Sequence, residues 1–311
     1  MKGSEQDDAE DTVQIMVKVC PMKAADAFAP DISIAITCWR MDRELPRTLW
    51  SLSRTFQQGA EDLTWEIIVV DNGSDNLPIP PIMEPVPRIL AARHPAPSPV
   101  GAINEALAMA RGRIVGAWID GARLASPYLL ATVARAAKAH PAPVIAVPNR
   151  QFGLERQATS ARRGYDRATE DALLQTAGWP DPSADLFAVS WPEELSPTAP
   201  MLETNALFLH RDTWAALDGY DPAFTEPGGG MCNPDMLNRA VNHPGTQFIR
   251  LSGVATFHQI HGGTSTSDEA QAIRMVKEAT RTYAALRGHP PRKQHARGWV
   301  FDAATGVIDR S

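Results

Sequence analysis

Cysteine and long apolar segments are both scarce in this sequence. Its 311 residues include three cysteines, none of them in a C-x-x-C pair, which excludes a disulfide framework and a thiolate zinc site. No apolar run approaches the roughly 18 residues that a membrane-spanning helix requires, so no transmembrane segment is expected. The acidic N-terminus also lacks the basic start of a signal peptide. We therefore expect a cytoplasmic protein in a reducing compartment.

The sequence has no excess of positive charge. Its formal net charge is −6 at pH 7, so a nucleic-acid partner is not expected, while peripheral association with a membrane is left open. With 44% hydrophobic and 21% charged residues, the composition is that of a globular protein. The chain is long enough for one large α/β domain or two small domains.

Three well-known motifs are also missing. The chain has no G-x-G-x-x-G dinucleotide fingerprint and no G-x-x-x-x-G-K-[ST] phosphate loop. It has no G-x-S-x-G nucleophile elbow. The glycine- and lysine-rich N-terminal loop of a nucleotidyltransferase is absent too, which argues against that class of enzyme.

Strands and helices alternate from residue 31 onward. Apolar runs predict strands at residues 32–36, 65–70, 113–119 and 144–147. Helical spacing predicts one helix at residues 45–56, a second between the Ser98 cap and a C′ residue at Gly112, and a third at residues 128–138. The alternation predicts an α/β fold with a Rossmann-like, mostly parallel sheet flanked by helices. Ligands bind such sheets beyond the carboxyl ends of the strands.

The same patterns divide the chain into three parts: an acidic extension at residues 1–28 with one short strand at 13–19, a single domain at 29–265, and a C-terminal helix and tail at 266–311. Within the domain, residues 150–200 are rich in loops and in arginine, and we interpret them as an insertion that shapes a substrate pocket. The arginines are Arg150, Arg156, Arg162 and Arg163.

The later part of the chain carries weaker signals. A short helix at residues 212–217 is expected to end at Gly219, and strands are expected at 248–251 and 254–257. Thr266 and Glu269 form a capping box for a long last helix that Gly288 ends. The predicted inner face of that helix consists of Ile273, Val276, Thr280 and Tyr283.

Two carboxylates follow predicted strands. Asp71 begins a turn with the sequence DNGSD, and Asp120 is followed by Gly121, which permits close approach of the backbone. Asp71 is suited to accept hydrogen bonds from a nucleoside, and Asp120 to hold a divalent metal and a diphosphate. An ordinary Asx turn at Asp71 and a solvated strand end at Asp120 are the simpler alternatives.

Three glycines at residues 228–230 precede the sequence Asn233-Pro234-Asp235. Asn233 suits an N-cap and Pro234 a first helical residue, which places Asp235 in the first turn of a helix. Asp235 is then a candidate general base, and the glycine loop a segment that closes over a ligand. Plain helix capping is the alternative.

His258 and His261 form a pair three residues apart. Imidazole is a ligand for Mn²⁺ or Zn²⁺ and a donor to phosphate. One buried and one surface histidine is the alternative.

In order along the chain, these features resemble the inverting family 2 glycosyltransferases with the GT-A fold. The resemblance covers roughly residues 31–265. It depends on the strand and turn at residues 66–74, the helix that contains Asn104, the D-x-D motif that begins at Asp120, and segments at 205–208 and 219–224 that precede Asp235.

The resemblance implies the roles of individual residues. It places Thr37, Asp71, Asn104 and Asp120 at the nucleotide of the donor, with Asp120, His261 and His258 as ligands of a divalent metal, Mn²⁺ or Mg²⁺. It makes Asp235 the general base that deprotonates the acceptor hydroxyl. Gly229, Gly230 and Glu203 are assigned to the acceptor side. The implied partners are a nucleotide-sugar donor such as a UDP-sugar and a glycan or small-molecule acceptor.

The sequence departs from this family in two motifs. Ala122 occupies the third position of D-x-D, and Pro234 precedes Asp235 where the family has an acidic residue. The Q-x-x-R-W motif of processive synthases is out of register by one residue at 294–299, so a single-addition enzyme is expected. A nucleotide-sugar-binding protein without catalytic activity is the alternative, because one metal-binding carboxylate is missing.

Overall fold

The computed structural model describes residues 29–153, 155, 159–160, 163–261, 269–295 and 299–310. Several expectations lie outside these residues: the acidic extension with its strand at 13–19, Arg156, Arg162 and the Thr266 cap.

The described residues contain seven principal α-helices and thirteen strands. The helices are α1 (Glu44–Ser51), α2 (Val100–Met109), α3 (Leu129–Ala136), α4 (Arg167–Ala177), α5 (Arg211–Leu217), α6 (Cys232–Asn242) and α7 (Glu269–Arg287). The strands are β1 (Ile32–Cys38), β2 (Trp65–Asp71), β3 (Arg88–Ala91), β4 (Ile114–Trp118), β5 (Arg123–Ala125), β6 (Pro143–Ala146), β7 (Asn149–Phe152), β8 (Ser190–Pro192), β9 (Ala206–His210), β10 (Gln247–Ser252), β11 (Thr256–His258), β12 (Val300–Asp302) and β13 (Ile308–Asp309).

Nine strands form the main sheet in the order β13-β12-β10-β6-β9-β4-β1-β2-β3. Strand β9 runs antiparallel to β4 and β6, and β13 runs antiparallel to β12, while the other neighbours are parallel. The predicted α/β fold with a mostly parallel sheet is therefore confirmed. The predicted strands are apolar throughout because helices cover both faces of such a sheet.

Each face of the sheet has its own core. In β1, Ile32, Ile34 and Ile36 pack with α1 and α3, whereas Ala35 packs with α2 and α6 on the opposite face. Alternate residues of a strand point to opposite faces, so one short strand contributes to both cores.

A second sheet occupies the region expected to be loop-rich. Its order is β5-β11-β7-β8, and with α4 it encloses a third core that contains Phe152, Leu174 and Phe257. The stretch 150–200 is rich in loops, as expected, but it also contains α4 and contributes β7 and β8 to this sheet. Arg150 lies within this sheet and donates to the hydroxyl and carbonyl oxygens of Ser190 at 2.8 and 2.6 Å.

Two predicted helix details are wrong. Helix α2 ends at Met109 with an extended cap at Ala110, so Gly112 is not its C′ residue. A Cβ atom at Gly112 would lie 2.5 Å from the backbone nitrogen of Ser33, so close packing explains this glycine. Helix α6 begins at Cys232, which places Asn233 inside the helix instead of at its cap. Asp235 is in the first turn, as expected.

The inner face of α7 differs from the prediction. Tyr283 is fully buried, but Ile273 and Val276 are 48% and 57% exposed, and Ala279 packs inward in their place. Gly288 ends the helix with a φ of 74°, as predicted. Strand β12 pairs with β10, so the C-terminal segment completes the main sheet and does not form a separate unit. None of the helices in the described part of the chain is both long and apolar enough to cross a bilayer.

Candidate active site

Three strand ends bring the predicted donor residues to one edge of the main sheet. In the parallel register, Cys38 of β1 pairs with Asp71 of β2, and Ile36 of β1 pairs with Trp118 of β4. Asp120 follows Trp118 by two residues. The carboxyl ends of these strands therefore place Thr37, Asp71 and Asp120 along one edge, where α/β sheets bind ligands.

Asp120, His258 and His261 come together at this edge. Oδ2 of Asp120 lies 3.2 Å from Nε2 of His258, Oδ1 lies 3.8 Å from Nε2 of His261, and the two imidazole nitrogens are 3.1 Å apart. One ligand atom from each of the three side chains lies within 4.8 Å of the other two. The three predicted ligands are thus close enough together to share one divalent cation.

Hydrogen bonds from α1 connect the two loops that carry these ligands. The hydroxyl of Thr48 donates to the carbonyl of Gly121 at 2.7 Å and accepts from the amide of Gln259 at 3.2 Å. The backbone N–H of Gln259 donates to the carbonyl of Ala122 at 2.8 Å. Glu170 of α4 accepts from the backbone N–H of Ile260 at 2.6 Å. These contacts orient the aspartate and the histidines before any ligand binds.

Arg123 is a positively charged side chain next to this cluster. It is only 7% exposed, and its Nε lies 3.2 Å from Oδ2 of Asp120. Its Nη1 is buried and has no hydrogen-bond partner among the described residues. Burial alone would raise the pKa of Asp120, but a hydrogen bond from His258 and the charges of Arg123 and both histidines lower that pKa well below its ordinary value. Burial and Arg123 lower the pKa of His258, so the ionised carboxylate and neutral imidazole that ligate metals are favoured.

The carboxylate of Asp71 is hydrogen-bonded within the turn that follows β2. It accepts from the backbone N–H groups of Gly73 and Ser74 at 3.1 and 2.7 Å and from the Ser74 hydroxyl at 2.6 Å. This is the Asx turn considered as an alternative, and it shapes the loop at the end of β2. Thr37 beside it is 2% exposed, and its hydroxyl has no partner among the described residues. The Thr37 hydroxyl is therefore available to a ligand at this edge.

Asn104 connects α2 to the segment that follows α5. Its amide nitrogen donates to the carbonyl of Tyr220 at 2.7 Å, and its amide oxygen accepts from the N–H of the same residue at 2.9 Å. Both groups are thus occupied by backbone. The structure gives Asn104 a positioning role and does not support its predicted contact with the donor nucleotide.

Asp235 is fully buried, and two arginines surround its carboxylate. Arg239 donates at 2.8 Å, and Arg287 of α7 donates from Nε at 2.5 Å and from Nη2 at 3.0 Å. Arg239 also donates to the carbonyls of Leu217 and Gly219. A buried carboxylate with two arginine partners is poorly placed to receive a proton from an acceptor hydroxyl. In this structure Asp235 anchors α7 to α6, and its role as general base stays a prediction.

Comparison with known proteins identifies the family. Residues 33–188, about half of the chain, match the sequence model described as Glycosyl transferase family 2. The chain belongs to glycosyl transferase family 2. No curated protein matches it.

Among solved structures, this glycosyltransferase is similar to TarS residues 1–349 of S. aureus in complex with UDP. The identity is 11% and the TM-score 0.47, with 82% of this chain and 72% of that chain covered. It is also similar to glucosyl-3-phosphoglycerate synthase from Mycobacterium tuberculosis in complex with phosphoglyceric acid. There the identity is 16% and the TM-score 0.46, with 86% and 83% covered.

The glycines on the predicted acceptor side of the enzyme have conformational roles. Gly229 and Gly230 have φ angles of 83° and 54°, in the left-handed region that favours glycine. A Cβ atom at Gly229 would lie 2.6 Å from Sγ of Cys232. Both residues therefore fix the entry of the chain into α6.

The polar cluster before β9 is the part of the site that sequence reasoning described least. The amide of Asn233 donates to Oδ1 of Asn205 at 2.9 Å, and the N–H of Asn205 donates to Oδ1 of Asn149 at 3.4 Å. The carboxylate of Glu203 is hydrogen-bonded to Asn233, and the positive charge of Arg123 acts to lower its pKa. In the sequence, a run of polar residues before an apolar strand indicates a site at the start of β9. That pattern does not predict which residues of α6 lie against it.

Proposed function

We propose that this family 2 glycosyltransferase transfers a sugar from a nucleotide-diphosphate sugar to an acceptor hydroxyl, with a divalent metal bound by Asp120, His258 and His261. The cluster of these three side chains at the carboxyl edge of the sheet is the observation that supports the proposal most directly. The reaction we infer is a single in-line displacement that inverts the anomeric carbon. A UDP-sugar is the donor we expect.

The donor set suits a divalent metal. Two imidazole nitrogens and one carboxylate oxygen are three of the ligands that Mn²⁺ and other first-row metals accept. When bound, the metal would act as a Lewis acid that offsets the charge of the leaving diphosphate. The chain itself supplies the orientation, since Thr48, Gln259 and Glu170 hold the ligand-bearing loops.

Arg123 supports the same assignment. Its buried guanidinium has an Nη1 beside the proposed metal ligands that finds no partner in the described part of the chain, and arginine is well suited to bind phosphate oxygens. We propose that Arg123 binds the donor diphosphate, which provides positive charge close to the position where the D-x-D motif lacks its second carboxylate. Thr37 and the turn shaped by Asp71 are proposed to lie against the nucleoside.

Titration calorimetry with UDP tests this function on the full-length protein. We expect UDP affinity to increase on addition of Mn²⁺ in the wild type, and this increase to be lost in Asp120→Ala and His261→Ala. In Arg123→Met we expect weaker UDP binding both with and without Mn²⁺.

His243→Ala and Arg113→Met are the matched controls. His243 lies between α6 and β10, and Arg113 directly precedes β4, so both lie at the amino edge of the sheet, opposite the site. Their UDP affinity should equal that of the wild type. A wild-type protein that binds UDP equally with and without Mn²⁺ would remove the metal from the proposal.

A further inference from the structure

The proposed displacement needs a group that receives the proton of the acceptor hydroxyl, and Asp235 is unsuited to do so. Its carboxylate is fully buried between Arg239 and Arg287. A carboxylate at the carboxyl edge of the sheet, near the proposed metal ligands and without an ion-pair partner among the described residues, is better suited.

Glu203 satisfies the requirement of position. Strand β9 is antiparallel to β4, and its first residue, Ala206, pairs with Trp118, the last residue of β4. Glu203 precedes Ala206 by three residues, and Asp120 follows Trp118 by two. Both carboxylates therefore lie beyond the same edge of the sheet, on segments that extend from directly paired residues.

A hydrogen-bonded network connects the Glu203 segment to the strand that carries His258. Asn205 donates from its backbone to Oδ1 of Asn149, and the hydroxyl of Thr256 donates to the same oxygen at 3.2 Å. Asn149 pairs with Thr256 in the register of β7 and β11. His258 follows Thr256 by two residues, so this network holds the Glu203 segment at a fixed distance from His258.

Two buried polar groups at this place have no protein partner. Asn233 is 8% exposed, and its Oδ1 has no hydrogen bond within the described part of the chain. Nη1 of Arg123, 7% exposed, is likewise unpartnered there. Buried polar groups are normally satisfied. The unsatisfied acceptor of Asn233 next to Glu203 is the arrangement expected when a hydroxylic ligand completes the site, while the unsatisfied donor of Arg123 faces the proposed diphosphate.

The other carboxylates of this region have partners of their own. Glu193 accepts from Asn149 at 3.1 Å, and Glu194 lies 3.3 Å from Nη2 of Arg250. Glu226 also has buried, unpartnered oxygens, but one of them lies close to Gly230 in the loop that packs against Ala279 of α7. Glu226 is therefore the second candidate that an experiment has to exclude.

We propose that Glu203 is the catalytic base of this enzyme and that Asn233 helps to position the acceptor hydroxyl. The inference rests on the proposed function. In this step the acceptor oxygen forms a bond to the anomeric carbon while the bond from that carbon to the diphosphate oxygen breaks. The electron pair of the broken bond stays on the nucleoside diphosphate, and the hydroxyl proton passes to the Glu203 carboxylate, which then releases it to solvent.

The ionisation of Glu203 agrees with this role. Burial is the largest influence and, with the charges of Glu193 and Glu194, raises the pKa of Glu203 to about 7, although Arg123 and Asn233 oppose the shift. Cys232 of α6 and Tyr220 are the other titratable groups coupled to it. A base functions best when its pKa lies near the working pH. The rate should therefore rise as the pH increases through about 7, as Glu203 loses its proton.

The test compares Glu203→Gln with Glu226→Gln, Asp235→Asn and the exposed control Glu278→Gln. Release of UDP from UDP-glucose and UDP-N-acetylglucosamine, with water as acceptor, is measured beside calorimetric binding of UDP with Mn²⁺. We expect Glu203→Gln to lower UDP release by about a hundredfold or more, with a UDP dissociation constant within about twofold of the wild type. Glu278→Gln should match the wild type in both.

A pH profile separates a base from a structural residue. Glu193→Gln removes a charge that raises the pKa of Glu203, so its rate profile should move to lower pH while the maximal rate is retained. Normal UDP release in Glu203→Gln, or a selective loss in Glu226→Gln instead, would overturn the assignment of Glu203 alone. A wild type that neither binds UDP with Mn²⁺ nor releases it would overturn the proposed function as well.

Discussion

At the scale of single residues, Glu203 links catalysis to stability. Its pKa of about 7 in the folded protein lies above its ordinary value of 4.5. Between these values the folded state binds more protons than the unfolded state, so the contribution of Glu203 to stability falls as the pH rises from about 5 to about 8. The residue proposed as base therefore destabilises the fold at the pH at which it is ionised.

Glu203→Gln should consequently stabilise the protein at pH 8 and have little effect at pH 5. The gain expected is on the order of 1 to 3 kcal/mol, because one pKa unit corresponds to about 1.4 kcal/mol. Thermal unfolding at the two pH values measures it, with Glu278→Gln as the control. An equal change in Tm at pH 5 and pH 8 would show that burial does not raise the pKa of the Glu203 carboxylate.

At the scale of secondary-structure elements, α1 holds the cluster of Asp120, His258 and His261 in place through Thr48. Thr48→Val keeps the shape of the side chain but removes both the donor to Gly121 and the acceptor for Gln259. Leaving these buried groups unsatisfied costs about 1 to 3 kcal/mol. We expect Mn²⁺-dependent UDP affinity to fall severalfold, as measured by calorimetry.

Thr132→Val is the control for this variant. Thr132 is also buried, and its hydroxyl likewise donates to a backbone carbonyl, that of Tyr128, but it lies on α3 away from the cluster. Its loss should lower Tm without changing UDP affinity. Equal effects of the two variants on UDP binding would show that Thr48 acts only through overall stability.

Two carboxylates anchor helix α7 through Arg287: the buried Asp235 and the more exposed Asp221. Asp235→Asn leaves Arg239 and Arg287 without their shared partner, and removing one member of a buried ion pair costs about 3 to 5 kcal/mol. We expect a lower Tm and faster hydrogen exchange throughout α7, measured by mass spectrometry. Exchange in β1 and β2 should be unchanged below the unfolding transition, and unaltered protection of α7 would contradict the anchoring role.

The same elements show what the sequence can and cannot predict. Asp120 and the histidine pair follow apolar strands, so local pattern and strand direction were enough to predict that they meet. The role of Asp235 depends on Arg287, 52 residues along the chain, and no local pattern encodes such a contact. Strands β5, β8 and β11 have three residues each, too few to establish a period of two.

At the scale of the whole molecule, the site is divided between the two halves of the chain. The segment that matches the family, residues 33–188, contains Thr37, Asp71 and Asp120. Glu203, His258 and His261 follow it. Strand β9 is central to this division, because its antiparallel insertion between β4 and β6 brings the second half of the chain to the edge that the first half defines.

The chemistry of the three proposed ligands determines which metal the folded protein should prefer. With Ala122 in place of a carboxylate, two of the three proposed ligands are imidazoles, which suit Mn²⁺ and Co²⁺ better than Mg²⁺, an ion that strongly prefers oxygen. Because a ligand that binds only the folded state raises Tm with its concentration, we expect Mn²⁺ and Co²⁺ to raise Tm in the presence of UDP more than Mg²⁺ does at the same concentration.

His261→Asp replaces one imidazole by a carboxylate and should reduce the difference between the Tm increases caused by Mn²⁺ and Mg²⁺, whereas His243→Ala should leave that difference unchanged. Equal stabilisation of the wild type by Mg²⁺ and Mn²⁺ would argue that the histidines do not ligate the ion and that the diphosphate carries the metal into the site.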